Sequence, residues 1–414
     1  MAKFLMLPTH RVRWLRFAVV LLAGGCTTTF ETVPLEQVPF VERAQRQSEE
    51  NVRVTAAVLS AEESELIFSL DLYARGIQPV WLEIENNDES SIRFLPAGLD
   101  PEYFTPLEVS YVFRSRFAKE ANQQLDEHFQ NLSIGNRIDP GETRSGFVFS
   151  HLEHGTKIFN VDVIGQDNDL RAFTFAIPVP GLAVDITDTD WAELYEPAEI
   201  TAYDRHDVRE ALEMLPCCVT DQDGGKEGLP INVVIVGTLD DVVYALIRAG
   251  WDATERTLSQ QTESMPIAGT DDRYRPVSIR YAFGRPQDAS FRKSRHDGQP
   301  HSHLRLWLSP ITVNSVPVWI GDVGRDLPAR SKSSDRLVDA DDARAMLFQD
   351  ILHSQALSFF AVVKRDNAAP IAQSYEQLGG APFFADGFRI VLGIGSEPVA
   401  IPDAEHLRWE KLPF

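Results

Sequence analysis

Ile231-Asn232-Val233-Val234-Ile235-Val236-Gly237 runs directly into Thr238 and then Leu239-Asp240-Asp241-Val242-Val243-Tyr244-Ala245-Leu246-Ile247-Arg248-Ala249-Gly250. The first run is almost continuously apolar, the mark of a strand buried on both faces. Thr238 supplies a helix N-cap, and Gly250 stands where the helix should stop. A buried strand, a turn and a capped helix open a βα unit, so this half of the chain mixes strands with helices.

Downstream, Ser302-His303-Leu304-Arg305-Leu306-Trp307-Leu308 alternates and reads as a strand, with Val316 to Gly321 as its hairpin partner. Apolar residues Ala345, Leu347, Phe348, Ile351 and Leu352 predict a helix over 341–354. Leu357 to Lys364 and Phe388 to Gly393 supply the last strands. A helix from Asp207 to Met214, stopped by Pro216, opens the domain.

Upstream, residues 51–182 read as all-β. Strands are predicted at Val52–Val58, Val80–Glu85, Leu107–Phe113, Ser145–Phe149, Phe159–Gly165 and Phe173–Ile177, with turn residues between them. One helix, Ala118 to Phe129, interrupts the set. The fold class expected is multidomain: an N-terminal all-β sandwich followed by a mixed α/β (α+β) domain over 201–414. Residues 183–200, carrying Asp185, Asp188, Asp190, Glu193 and Glu196, form an acidic linker.

The N-terminus is informative about place. Lys3, Arg11, Arg13 and Arg16 precede the apolar run Phe17 to Gly25, and no acidic residue comes before Glu31. A basic start, a short apolar run and small residues describe a signal peptide over 1–25. The run is too short for a bilayer span, which needs about 20 apolar residues. Cys26 directly after it offers a thiol for lipidation. The polar stretch 26–50, with Pro34 and Pro39, reads as a tether. An ordinary signal peptide with Cys26 as a bystander, or an uncut anchor, is the competing reading.

About 390 residues remain after the signal, too many for one ordinary core and enough for two domains. Apolar content of 43% and charged content of 24% are those of a folded globular chain. The net charge of −22 excludes nucleic acid as a partner of the whole molecule. Of three cysteines, Cys217 and Cys218 are adjacent. Both a vicinal disulfide and two free thiols are open readings.

Two constellations could carry chemistry. His301 and His303 lie on one side of a strand, and Asp326, Asp339 or Asp341 could complete an open zinc site. The competing reading is a pair of exposed histidines at a strand entrance, so no metal or other cofactor is expected. Arg285, Arg305 and Arg325, with Lys293 in addition, could form an anion pocket, since arginine grips phosphate or carboxylate bidentately. The competing reading, which is favoured, is structural pairing of Arg285 with Asp288 and Arg325 with Asp326. There is no Gly-x-Ser-x-Gly elbow, no His-Glu-x-x-His and no complete phosphate loop. Trp307, Trp319, Phe359 and Phe360 are expected in the core.

Ala23-Gly24-Gly25-Cys26 resembles the lipobox of bacterial lipoproteins, with Ala where Leu is usual. The resemblance implies acylation of Cys26 and anchoring to a lipid bilayer, and Thr27 after it favours the outer membrane, facing the periplasm. The sandwich resembles the immunoglobulin-like domains of bacterial envelope proteins. The second domain resembles the LssY C-terminal domain family through Pro230 to Gly237, Ala249-Gly250-Trp251, Phe283 to Asp288, His303 to Trp307, Val318 to Gly321, Gly324-Arg325-Asp326 and Phe383 to Gly387. This implies a cell-envelope domain, in some members joined to membrane phosphatase modules of the PAP2 type, which this chain lacks. Arg336 stands near a position where the family usually shows histidine. The resulting expectation is a non-enzymatic envelope module that binds an anionic ligand or another envelope protein. The alternative is a metal-assisted or acid–base hydrolase of a phosphorylated or glycan substrate, with catalytic candidates Arg285, Asp288, His303, Arg305, Arg325 and Asp326 and metal candidates His301, His303 and Asp339.

Overall fold

The computed structural model describes residues 33–116, 118–166, 169–181, 186, 189, 191, 193–255, 272–294, 302–326, 338–365, 375–376, 378 and 382–411. The leader, Cys26, His301 and Arg336 lie outside them, as do the side chains of Asp326 and Asp339.

The first half contains β1 (Gln45–Glu49), β2 (Val52–Val58), α1 (Ala61–Phe68), β3 (Ile77–Asn86), β4 (Ile92–Leu95), α2 (Pro106–Phe113), α3 (Lys119–Leu132), β5 (Arg137–Ile138), β6 (Thr143–His151), β7 (Thr156–Ile164) and β8 (Leu170–Pro178). Two four-stranded sheets, β1-β2-β3-β6 and β5-β4-β7-β8, face each other. Val54, Leu82, Ile84, Phe94, Val161 and Phe175 fill the space between them. β7 alternates strictly, its buried positions including Phe159, Val161 and Val163, as a sheet with one solvated face requires. β3 is different, because Trp81 turns to a second core shared with Phe68, Val109 and Phe129 of the three helices.

Two expectations need correction here. Leu107–Phe113 is the helix α2, not a strand. The Glu108 amide donates to Thr105 Oγ1 (3.3 Å) and the Thr105 amide donates to Glu108 Oε2 (2.7 Å). This capping box, with Pro106 in the first turn, outweighs the apparent alternation. Residues 33–50 are not a free tether. Val38 and Phe40 are buried, and β1 pairs with β2 along its whole length. Gln45 Nε2 also donates to the Ala176 carbonyl (2.7 Å), tying the two sheets together at the edge. Within the acidic linker, Trp191 packs edge-on against Trp319 at 5.2 Å.

The second half contains β9 (Thr201–Tyr203), α4 (Val208–Glu213), β10 (Cys218–Thr220), β11 (Glu227–Pro230), β12 (Val233–Val236), α5 (Leu239–Arg248), β13 (Asp252–Ala253), β14 (Tyr281–Ala282), β15 (Arg285–Pro286), β16 (Ala289–Lys293), β17 (Ser302–Val313), β18 (Val316–Asp326), β19 (Val338–Asp339), α6 (Ala340–His353), β20 (Leu357–Lys364), β21 (Tyr375–Glu376), β22 (Pro382–Phe384), β23 (Phe388–Ile394) and β24 (Glu405–His406). One mixed sheet runs β13-β16-β17-β18-β12-β23-β20-β24. β12 lies antiparallel to β18 and parallel to β23. Its side chains divide as the apolar run predicts. Val233 and Ile235 join the core under α5 and α6, while Val234 and Val236 join the core that includes Val208 and Leu212 of α4. A small sheet, β11-β10-β14-β15, contributes Val219, Leu229 and Ala282 to a core with Trp307 and Ile320 of the large sheet. The α5 end is closed by Gly250 at φ +80°, where the Trp251 amide donates to the Leu246 carbonyl (2.9 Å).

Candidate functional site

The β17–β18 hairpin carries the candidates because its register sets them side by side. Arg305 lies opposite Asp322, His303 opposite Gly324, and Ser302 opposite Arg325. By alternation His303, Arg305 and Trp307 share one face of β17, while Leu304 and Leu306 face the other core.

Arg305 is 3% exposed and fully engaged on this face. Nη1 donates to Asp322 Oδ2 (2.8 Å), Nε to the Ser278 carbonyl (2.8 Å) and Nη2 to Ser278 Oγ (2.6 Å). Asp322 is completely buried. Burial pushes its carboxyl up to about 6, against the pull of Arg305 and Arg280. His303 Nε2 stands 4.0 Å from Asp322 Oδ2. Its ring lies against Gly324, where an added Cβ would come within 2.8 Å of the imidazole. The absence of a side chain at 324 is what lets the ring settle on the sheet.

Arg285 belongs to a separate group. Nε and Nη2 hold Asp288 Oδ1 and Oδ2 at 3.0 and 2.8 Å, Nη1 donates to Tyr195 Oη (2.7 Å), and Nη2 also reaches the Leu308 carbonyl (2.6 Å). Asp288 is 5% exposed and accepts the Leu308 amide at 2.7 Å. Burial opposes the charge on Arg285, but Asp288 outweighs it and the group titrates above the ordinary arginine value. The Arg285–Asp288 pairing expected from sequence is therefore present. Lys293 is held by Asp350 (2.7 Å) and the Ala249 carbonyl (2.8 Å) and adds nothing to an anion pocket.

Arg325 is half-buried and makes no ion pair among the described residues. For Asp326 and Asp339 the backbone alone is described: Asp326 pairs with Val338, and Asp339 with Arg325. Among the described residues, one set of three metal-donor side chains comes together, and it is not the histidine set. Cys217, Cys218 and Glu227 bring their donor atoms within 4.8 Å of one another, and the two sulfurs are bonded as a disulfide.

The remaining motif residues also have scaffold partners. Asn232 Nδ2 donates to the Val323 and Ala340 carbonyls, both at 3.0 Å, and Oδ1 accepts the Val323 amide (2.9 Å). Trp251 Nε1 donates to Asp350 (3.0 Å) and Trp319 Nε1 to the Gly237 carbonyl (3.0 Å). Arg344 Nη1 and Nη2 hold Asp386 at 2.8 and 2.6 Å. Burial alone would raise Asp386, and Arg344 keeps it below the usual carboxylate range.

Residues 209–388 match the family model of the LssY C-terminus. No curated protein matches the chain. The match covers all but the first residue of α4, then β12, the β17–β18 hairpin, α6 and the first residue of β23. Within this matched region Thr238 caps a helix, Gly250 closes one, and Arg285, Arg305 and Arg344 neutralise Asp288, Asp322 and Asp386. Sequence reading missed Asp322, Ser278 and Tyr195. Asp322 directly follows Gly321, but placing it opposite Arg305 needs the β17–β18 register. Ser278 and Tyr195 reach the groups from distant segments, and no local pattern marks them.

Proposed function

We propose that the chain is a non-enzymatic binding module of the cell envelope, held to a bilayer by lipid on Cys26. The observation that carries this reading is that two of the three arginines expected in a catalytic or anion pocket are occupied by their own carboxylates. Arg285 is saturated by Asp288, Tyr195 and Leu308, and Arg305 by Asp322 and Ser278. A catalytic pair needs a reacting atom within reach of its acid or base, and the Arg285 and Arg305 guanidinium groups are already held by protein oxygens. Arg325 is the remaining guanidinium of the set and supports an anionic ligand or protein partner at that end of β18.

The place of action rests on Ala23-Gly24-Gly25-Cys26 after a basic, then apolar leader. The module is a periplasm-facing outer-membrane lipoprotein in this reading. The test is to express the full chain with labelled palmitate. The label should enter the protein, the mature polypeptide should begin at Cys26, and Cys26→Ser should release it from the membrane fraction. An unlabelled protein, or a mature N-terminus elsewhere, contradicts the anchor. Turnover of a generic phosphomonoester or glycoside that is lost in Arg325→Gln contradicts the binding role.

A further inference from the structure

Cys217 and Cys218 form a disulfide between neighbouring residues. A bridge stabilises a fold mainly by closing a loop in the unfolded chain, and the gain grows with loop length. Neighbours close the shortest loop there is, so this bridge contributes least as a staple. It is placed instead where its chemistry is controlled. Arg365, 5% exposed, donates from Nη1 to Cys217 Sγ at 3.3 Å. Both cysteines are half-buried, and the exposed Glu227 carboxylate lies within 4.8 Å of both sulfurs.

The backbone around the bridge is pinned independently of the sulfurs. The fully buried Arg389 donates to the carbonyls of Leu212 (2.6 Å), Leu215 (2.9 Å) and Ile231 (2.9 Å), and also to that of Pro216. The Ile231 amide donates to the Cys217 carbonyl (2.8 Å), and Cys218 pairs with Pro230. The two sulfurs would stay together after reduction.

We propose that Cys217–Cys218 is a redox-active centre that exchanges with an external dithiol. A thiolate of that dithiol attacks Cys218 Sγ, forming a mixed disulfide. The Cys217–Cys218 bond breaks, and its electron pair leaves on Cys217 Sγ as a thiolate held by Arg365. The second thiol of the reductant gives its proton to Glu227 and attacks its own bound sulfur. Cys218 leaves and takes that proton back. The dithiol is oxidised to its disulfide, and the protein is reduced by two electrons.

The test uses the full chain with the bridge intact, reduced with dithiothreitol in one arm and a protein dithiol of the Cys-x-x-Cys class in the other. Alkylation by iodoacetamide is read at each cysteine by peptide mass. Both sulfurs should label while the thermal midpoint stays in place, and Cys217 should react about threefold faster than Cys218 at pH 7, because Arg365 favours its thiolate. Arg365→Met should remove that difference and Arg365→Lys should restore it. Labelling in either arm supports the centre, and a faster protein arm identifies the source. The proposal is overturned if the bridge resists both reductants until the protein unfolds. It is equally overturned if the two wild-type cysteines share one pH profile, a readout that needs no Arg365 variant to fold.

Discussion

Asp322 has no exposed surface, and guanidinium groups from Arg305 and Arg280 act on it. Its carboxyl lies near 6, against 3.8 for the free side chain, so the folded state binds the proton more tightly than the unfolded state. That contribution is complete below 3.8 and is lost as pH climbs through about 6. That difference in proton binding corresponds to about 3 kcal/mol. Asp322→Asn is expected to flatten the fall in stability between pH 4 and 6, measured by urea unfolding at both ends of that window. Arg305→Met should be severe at neutral pH, costing about 3–5 kcal/mol, since it leaves a buried carboxylate without its partner. The double variant Arg305→Met/Asp322→Leu should cost clearly less than the sum of the two singles, which a double-mutant cycle would read.

At the scale of elements, the cap decided what the periodicity could not. Leu107, Val109, Tyr111 and Phe113 alternate like a strand, but Thr105 and Glu108 form a reciprocal box and α2 buries Val109 rather than one whole strand face. Thr105→Ala is predicted to cost about 1 kcal/mol of first-domain stability, seen as a lower midpoint in far-ultraviolet circular dichroism. By contrast, β12 and α5 were legible because Val233 to Val236 leave no polar face and Thr238 and Gly250 mark both helix ends. α1 went unread. Its Ser60–Glu63 box is present in the sequence, but the helix is short and its value comes from Ile67 and Phe68 packing on distant strands.

On the scale of the whole molecule, a strand-rich first half followed by a mixed second half could be read, because each half has its own hydrophobic period. The edge strand β1 could not, since Gln45, Gln47 and Ser48 look like a solvated tether until their partners on β2 and β8 are known. The Arg285–Asp288 pair was legible from its spacing of three. The Arg305–Asp322 pair was not, because it needs the hairpin register between β17 and β18. Both pairs lie within the region matched by the LssY C-terminus family, and their common role is to hold strands and loops in place. The most direct measurement is the unfolding free energy of the second domain's transition in Arg285→Met. A loss of about 3 kcal/mol is expected, because Asp288 would remain buried without its counter-charge. Unchanged or increased stability, as for a residue kept strained for chemistry, would contradict the assignment of these residues to the scaffold.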